Sequence, residues 1–229
     1  MTSDGDPTLL RTAAGALRGE VGDDGLLRFR GVPYAAAPFG EHRFAAPAPP
    51  PGWDGERAAT APGPTPLLPP ESTTSSIPEP ATPGSEILNL NVTAPRDHEG
   101  PLPVYVWIHG GGYVGGSPNG GWFDGAALAR SGVIVVSLTY RLGFEGFGHV
   151  PGAPDNRAVL DCLAALRWVR AELPALGADV DAITIGGQSA GGGMALALLA
   201  SPLARGLFRA AVIHSAPLPD VTPDDAATL

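Results

Sequence analysis

The pentapeptide Gly187-Gln188-Ser189-Ala190-Gly191 joins two segments that favour different backbones. Before it, Ala182-Ile183-Thr184-Ile185-Gly186 is a short apolar run of the kind that makes a buried strand. After it, Gly192 to Ala200 is small and apolar and reads as a helix. A strand that must become a helix within a few residues needs a tight, strained turn. A side chain beside that turn collides with neighbouring backbone, which is why glycines flank the serine. The turn exposes the Ser189 hydroxyl at the sheet edge, above a helix N-terminus that favours developing negative charge. The bland alternative is a plain glycine-rich loop, and the strand and helix on either side argue against it.

A second glycine motif has the same setting. Leu102 to Ile108 is a strand-like apolar run that ends in His109-Gly110-Gly111-Gly112-Tyr113. A glycine-rich stretch of this type lets the main chain approach a substrate oxygen and donate N–H groups to it. Further strands are expected at Val133–Thr139 and Ala211–His214. Between the second and third strands, Asn156 to Glu172 carries Val159, Leu160, Leu163, Leu166 and Val169 at helical spacing. Strands alternating with helices imply an α/β fold, with a mostly parallel sheet covered by helices on both faces. Ala16 to Phe29 reads as a hairpin with Asp23-Asp24-Gly25 near its turn. Residues 47–83 are rich in Pro, Thr, Ser and Ala, and on composition alone would pass for a linker.

Taken together, these motifs resemble the type-B carboxylesterase family, the esterases and lipases that include the cholinesterases. The resemblance covers nearly the whole chain. It runs through Phe29-Arg30-Gly31-Val32-Pro33-Tyr34-Ala35, then Arg43-Phe44 and Trp53-Asp54-Gly55, then Ser85-Glu86 through Leu90-Asn91-Val92. It continues through Trp107 to Tyr113, Tyr140-Arg141-Leu142-Gly143, Ala165 to Val169, the Ser189 pentapeptide, and Ser201-Pro202 with Gly206-Leu207-Phe208. The hormone-sensitive-lipase-like group shares both glycine motifs but lacks the long N-terminal segment. The resemblance implies one α/β-hydrolase domain over residues 1–229, with 47–83 as a long loop inside it near the mouth of the site.

The resemblance also implies a chemistry, two-step acyl transfer. Ser189 attacks an ester carbonyl, and the N–H groups of Gly111, Gly112 and Ala190 hold the oxyanion. His109, Tyr113, Gln188 and His214 are candidates for the pocket, and Phe144 and Phe147 either line an apolar cleft or pack in the core. Gln188 stands where the family often has a glutamate, which keeps hydrogen bonding but removes a charge beside the nucleophile. Arg43 with Glu86, and Arg141 with Asp161, match positions of two buried ion pairs in the family, structural rather than catalytic.

The triad of this fold runs Ser, then Asp or Glu, then His, and only forty residues follow Ser189. The later candidates are His214, Asp220, Asp224 and Asp225, and no acid is clearly placed to orient His214. His42 and His98 lie in polar loops, and His149 lies in a glycine-rich loop where it packs or lines a pocket. The expectation is therefore an N-terminal portion of the fold with its C-terminal strands absent: a serine carboxylesterase incomplete or weakly active as this chain alone. The alternative is a non-catalytic chain, or the assembly half of a split esterase that needs a complementing C-terminal chain or self-associates.

Composition narrows the partners. Net charge is −9 with pI near 4.9, which argues against nucleic acid, and the resemblance implies a small-molecule ester as the ligand. All fourteen basic residues are arginine, which, with 32 Gly and 26 Pro, suggests GC-rich coding. No apolar run approaches membrane-spanning length, and Met1 to Leu10 lacks the charge and apolar pattern of a signal peptide. Cys162, the single cysteine, reads as a small buried residue, and the chain fits a reducing cytoplasm. No spacing suggests a metal, and no cofactor is implied.

Overall fold

A computed structural model of the chain describes residues 6–66, 81–217 and 222–227. The apolar runs become the strands of one seven-stranded sheet. In chain order its members are β3 (Glu20–Val21), β4 (Leu26–Pro33), β6 (Asn89–Pro95), β7 (Leu102–Ile108), β8 (Ile134–Leu138), β9 (Ala178–Gln188) and β10 (Ala210–His214). In space the order is β10-β9-β7-β8-β6-β4-β3. The pairs β10–β9, β9–β7 and β7–β8 are parallel, and the pairs from β8 through β6 and β4 to β3 are antiparallel. The sheet is thus mixed. Its parallel half carries both glycine motifs, and the predicted hairpin forms the β3–β4 edge. A small second sheet joins β1 (Leu9–Thr12), β2 (Gly15–Arg18) and β5 (Glu56–Ala58). The strand β5 lies within the long segment 47–83, whose residues 67–80 fall outside the described residues.

Alternation along the strands assigns the two faces. On β8, Ile134, Val136 and Leu138 join the main core, together with Leu27 and Phe29 of β4. The intervening residues point the other way. There Val135 crowds Gly125, and Leu26 packs with Ala126 and Ala129 of α1 (Ala126–Arg130) as a separate small cluster. All five residues of β8 are buried, as expected for a strand covered on both faces. The other helices are α2 (Gly143–Phe147), α3 (Arg157–Glu172), α4 (Ala190–Ala200) and α5 (Pro223–Ala226). Among the described residues, no helix is long and apolar enough to cross a membrane.

The helix α3 forms where predicted, but it is rotated about its axis. Its buried face is Ala158, Asp161, Cys162, Leu163, Ala165, Leu166, Trp168 and Val169, whereas Val159 and Leu160 are only partly buried. Small residues face inward because the helix must come close enough for Asp161 to reach Arg141. That pair is buried, with Asp161 accepting from the Arg141 Nε at 2.9 Å, its terminal nitrogen at 2.7 Å and its backbone N–H at 3.0 Å. Cys162 is buried, and burial raises its thiol pKa well above the ordinary value.

The second expected pair does not form. Arg43 bonds Glu145 of α2 at 2.7 Å, and Glu86 bonds Arg57 of β5 at 3.0 Å. The reason is local. Phe44 takes a positive φ of 59° after the turn at Gly40–His42, and the Arg43 guanidinium stacks 4.6 Å over its ring, directed at α2. Both new pairs are part-exposed and stabilise little. Arg157 has a larger role that the sequence did not signal. It is fully buried, and its guanidinium donates to the carbonyls of Phe144, Glu145, Gly148 and Pro154, fixing the loop before α3.

These contrasts predict unequal costs. Asp161→Asn should lower stability by about 3–5 kcal/mol, because it strands a buried guanidinium. Arg43→Gln should change it by no more than about 1 kcal/mol. Urea unfolding midpoints of the two variants check both.

Candidate active site

Ser189 sits at the junction of β9 and α4 with φ 56° and ψ −126°. A non-glycine residue held there stores roughly 1–3 kcal/mol of backbone strain, which persists only where the surroundings over-determine it. Three constraints do so here. The Ser189 N–H donates to the His214 carbonyl at 2.9 Å, extending the β9–β10 ladder by one residue. The Ser189 carbonyl accepts from Gly193 N–H at 3.0 Å, the first turn of α4. Gly191 lies so near the backbone of Ile108 and His109 that a Cβ would overlap the Ile108 carbonyl oxygen. The end of β7 and the start of α4 therefore touch through bare main chain, and only glycine allows it.

The loop after β7 closes over this junction. A Cβ on Gly110 would lie 2.7 Å from the Gln188 carbonyl and 3.3 Å from the Ser189 Cβ, so the loop packs directly against the serine. Gly111, Gly112 and Tyr113 follow with φ of 122°, 64° and 67°. The Gly111 carbonyl accepts from the N–H groups of Val114 and Gly115 at 3.2 and 2.9 Å, closing a tight turn. Ala190 opens α4, where the first N–H groups have no partner within the helix.

His109 anchors that loop from below. It is 1% exposed and stacks on Tyr140 with ring centroids 4.4 Å apart, while the Tyr140 hydroxyl donates to the His109 carbonyl at 2.8 Å. The His109 Nδ1 lies 2.8 Å from the Gly110 carbonyl. A carbonyl only accepts, so Nδ1 carries the proton and Nε2 is bare, buried and without a partner among the described residues. Expected among the pocket residues, His109 is instead closed off beneath the loop, because it must fill the space between Tyr140 and Gly116.

The remaining predicted residues scatter around the serine. Tyr113 is half-buried, packs edge-on against Phe147 at 5.1 Å, and donates to the Pro217 carbonyl at 3.3 Å. Gln188 and His214 are exposed and face each other across β9 and β10. The His214 carbonyl holds Ser189, but its imidazole has no hydrogen bond among the described residues. No imidazole or carboxylate there hydrogen-bonds Ser189. The His149 ring contacts Asp155 at 2.9 Å and its backbone N–H donates to the Ala226 carbonyl, so the residue is tied to α5 rather than to the serine. Asp225 of α5 accepts from the Thr222 hydroxyl at 2.7 Å. Asp224 is exposed, and Asp220 lies outside the described residues. Tyr140 and Pro217, which tie down the glycine loop from two sides, carried no recognisable sequence signal as site residues.

Burial pulls the His109 pKa down to about 4, from an ordinary value of 6.5. Between those values the unfolded chain holds a proton that the folded chain does not. Stability therefore falls as pH drops from 6.5 towards 4 and levels off below. Relative to His109→Asn, which cannot charge, the wild type should lose about 3 kcal/mol more over that window. Parallel unfolding curves at several pH values measure the difference.

A family model described as the carboxylesterase family matches residues 6–223. The para-nitrobenzyl esterase of Bacillus subtilis (strain 168) is 40% identical over 225 residues, covering 96% of this chain and 46% of that protein. The phenmedipham hydrolase of Pseudarthrobacter oxydans is 41% identical, covering 91% and 43%. A solved PNB esterase superposes with a TM-score of 0.90 at 39% identity, covering 97% of this chain and 47% of that one. A carboxylesterase from Geobacillus stearothermophilus gives 0.80 at 40% identity, covering 89% and 43%. The chain thus spans about half the length of the curated relatives it matches. On the family match, the shared α/β-hydrolase fold and this identity over nearly its whole length, the chain belongs to the carboxylesterase family.

Proposed function

We propose that this chain is the nucleophile-bearing part of a serine carboxylesterase, one α/β-hydrolase domain in which Ser189 is the nucleophile. The observation that carries the reading is the strained backbone of Ser189, held where the glycine loop packs against it. Backbone strain at non-glycine residues clusters at functional sites, and a nucleophile elbow accounts for it at this one. The Ser189 oxygen bonds to the ester carbonyl carbon and its proton passes to a base. The N–H groups of Gly111, Gly112 and Ala190 take the oxyanion, and the tetrahedral intermediate collapses as the alcohol leaves with that proton. Water then repeats the sequence on the acyl-enzyme and releases the acid. Losing one oxyanion donor in such a site costs about a hundred- to a thousand-fold in rate.

The base and its orienting acid come from the part of the fold that this chain does not span. The sheet edge supports that reading. Among the described residues the strand β10 pairs only with β9, its residues are part-exposed or exposed with Val212 among the exposed ones, and Leu199 in α4 and Leu203 just after it are exposed as well. A parallel strand at a bare edge with apolar neighbours is a surface built to be covered. The competing reading is a non-catalytic chain, favoured by the lack of any imidazole bonded to Ser189 among the described residues.

One experiment separates the two. Hydrolysis of a para-nitrobenzyl ester is measured for the chain alone and co-expressed with the second half of the para-nitrobenzyl esterase fold as a separate polypeptide. Each is also run with Ser189→Ala. The expected result is weak turnover alone and higher turnover with the second half, both lost in the variant. Equal rates with and without Ser189 under both conditions would establish the non-catalytic reading.

A further inference from the structure

A cavity of 420 Å³ opens at the C-terminal end of α3, walled on one side by Pro47, Pro49 and Pro50. It is not the Ser189 site. That end of α3 leads through the turn Leu173–Leu176 into the start of β9, and Ser189 follows the other end. Leu102 pairs with Ala178 and Ile108 with Gly187, so the two ends are separated by the length of β7, about 20 Å at strand rise. The volume falls within the range of small-molecule sites, which are mostly apolar with a few placed polar groups.

Two polar groups are placed here. Trp168 lines the cavity, and its indole N–H, which is not closed off in the interior, has no hydrogen-bond partner among the described residues. A donor with no partner in the protein is open to an acceptor supplied from outside the chain. Arg167, the next residue on the rim, has neither an ion pair nor a hydrogen bond among the described residues. The one carboxylate in the lining, Glu172, accepts the Ala13 N–H at 3.2 and 3.3 Å, which turns it towards the β1–β2 turn. The cavity therefore presents a flat indole, a proline wall, an open N–H and an uncommitted guanidinium.

We propose that this cavity is a second small-molecule site, specific for a carboxylate with a flat apolar body of about the size of benzoate. The ring lies against Trp168 and the prolines, and the carboxylate accepts from Arg167 and the indole N–H. A neutral molecule of the same shape gains the apolar contact but not the charge-assisted bond. The site stands whether or not Ser189 is a nucleophile.

Tryptophan fluorescence titrations with benzoate and with benzamide test it on the wild type, Arg167→Gln and Trp168→Phe. Benzoate should give a saturable response, with benzamide about tenfold weaker. Arg167→Gln, an exposed change, should bring benzoate to the level of benzamide while keeping the wild-type unfolding midpoint. Trp168→Phe should remove the fluorescence response. No saturable response, equal affinity for the two probes, an unchanged benzoate affinity in Arg167→Gln, or a full response in Trp168→Phe would each overturn the proposal.

Discussion

The rest of the structure depends on how closely the ends of β7 and β9 approach each other. Gly110 rests on Gln188 and Ser189, and Gly191 rests on Ile108 and His109, with no side chain between them. That contact forces the serine into a positive φ and holds the turn of Gly111 to Tyr113 over it. It also dictates the sheet. Two strand ends can meet in this way only if the strands are parallel neighbours, and parallel neighbours need the crossover segments that carry α1, α3 and α4.

Around this contact the molecule buries polar groups in three different ways. Arg141 and Asp161 neutralise each other in a geometry that uses both carboxylate oxygens. Arg157 is held by main-chain carbonyls, so its charge is solvated by the loop it organises; burial lowers its pKa, but four bonds hold it in place. His109 is buried neutral, with one nitrogen bonded and one bare. Each stabilises a different segment: the approach of α3, the stretch 144–154, and the glycine loop that packs against Ser189.

Much of this was legible in the chain. Apolar runs bounded by glycine or polar residues located β7, β8, β9 and β10 to within a few residues, because buried strands need continuous apolar sequence. The helix α3 was legible as an element but not in its rotation. Spacing placed Val159 and Leu160 inward, whereas the structure turns Ala158, Asp161 and Cys162 to the core, since a charged residue counts against burial until its partner is known. Arg43 and Glu86 were likewise paired by resemblance, and a single positive φ at Phe44 redirected the arginine. Around Ser189 the glycines announced themselves, while Tyr140, Pro217 and the depth of His109 did not. A hydroxyl donating to a distant carbonyl leaves no pattern along the chain.

By itself the sequence determined the α/β alternation, the two glycine turns and the serine between strand and helix. Each is a local consequence of period, β-branching and the absence of a Cβ. Only the tertiary structure decided which charges pair, which face of α3 is buried, and that a proline wall, Trp168 and Arg167 enclose a cavity at the far end of that helix. Those outcomes depend on distances between residues far apart in the chain, and pairing, burial and enclosure become defined only when the sheet brings those residues together.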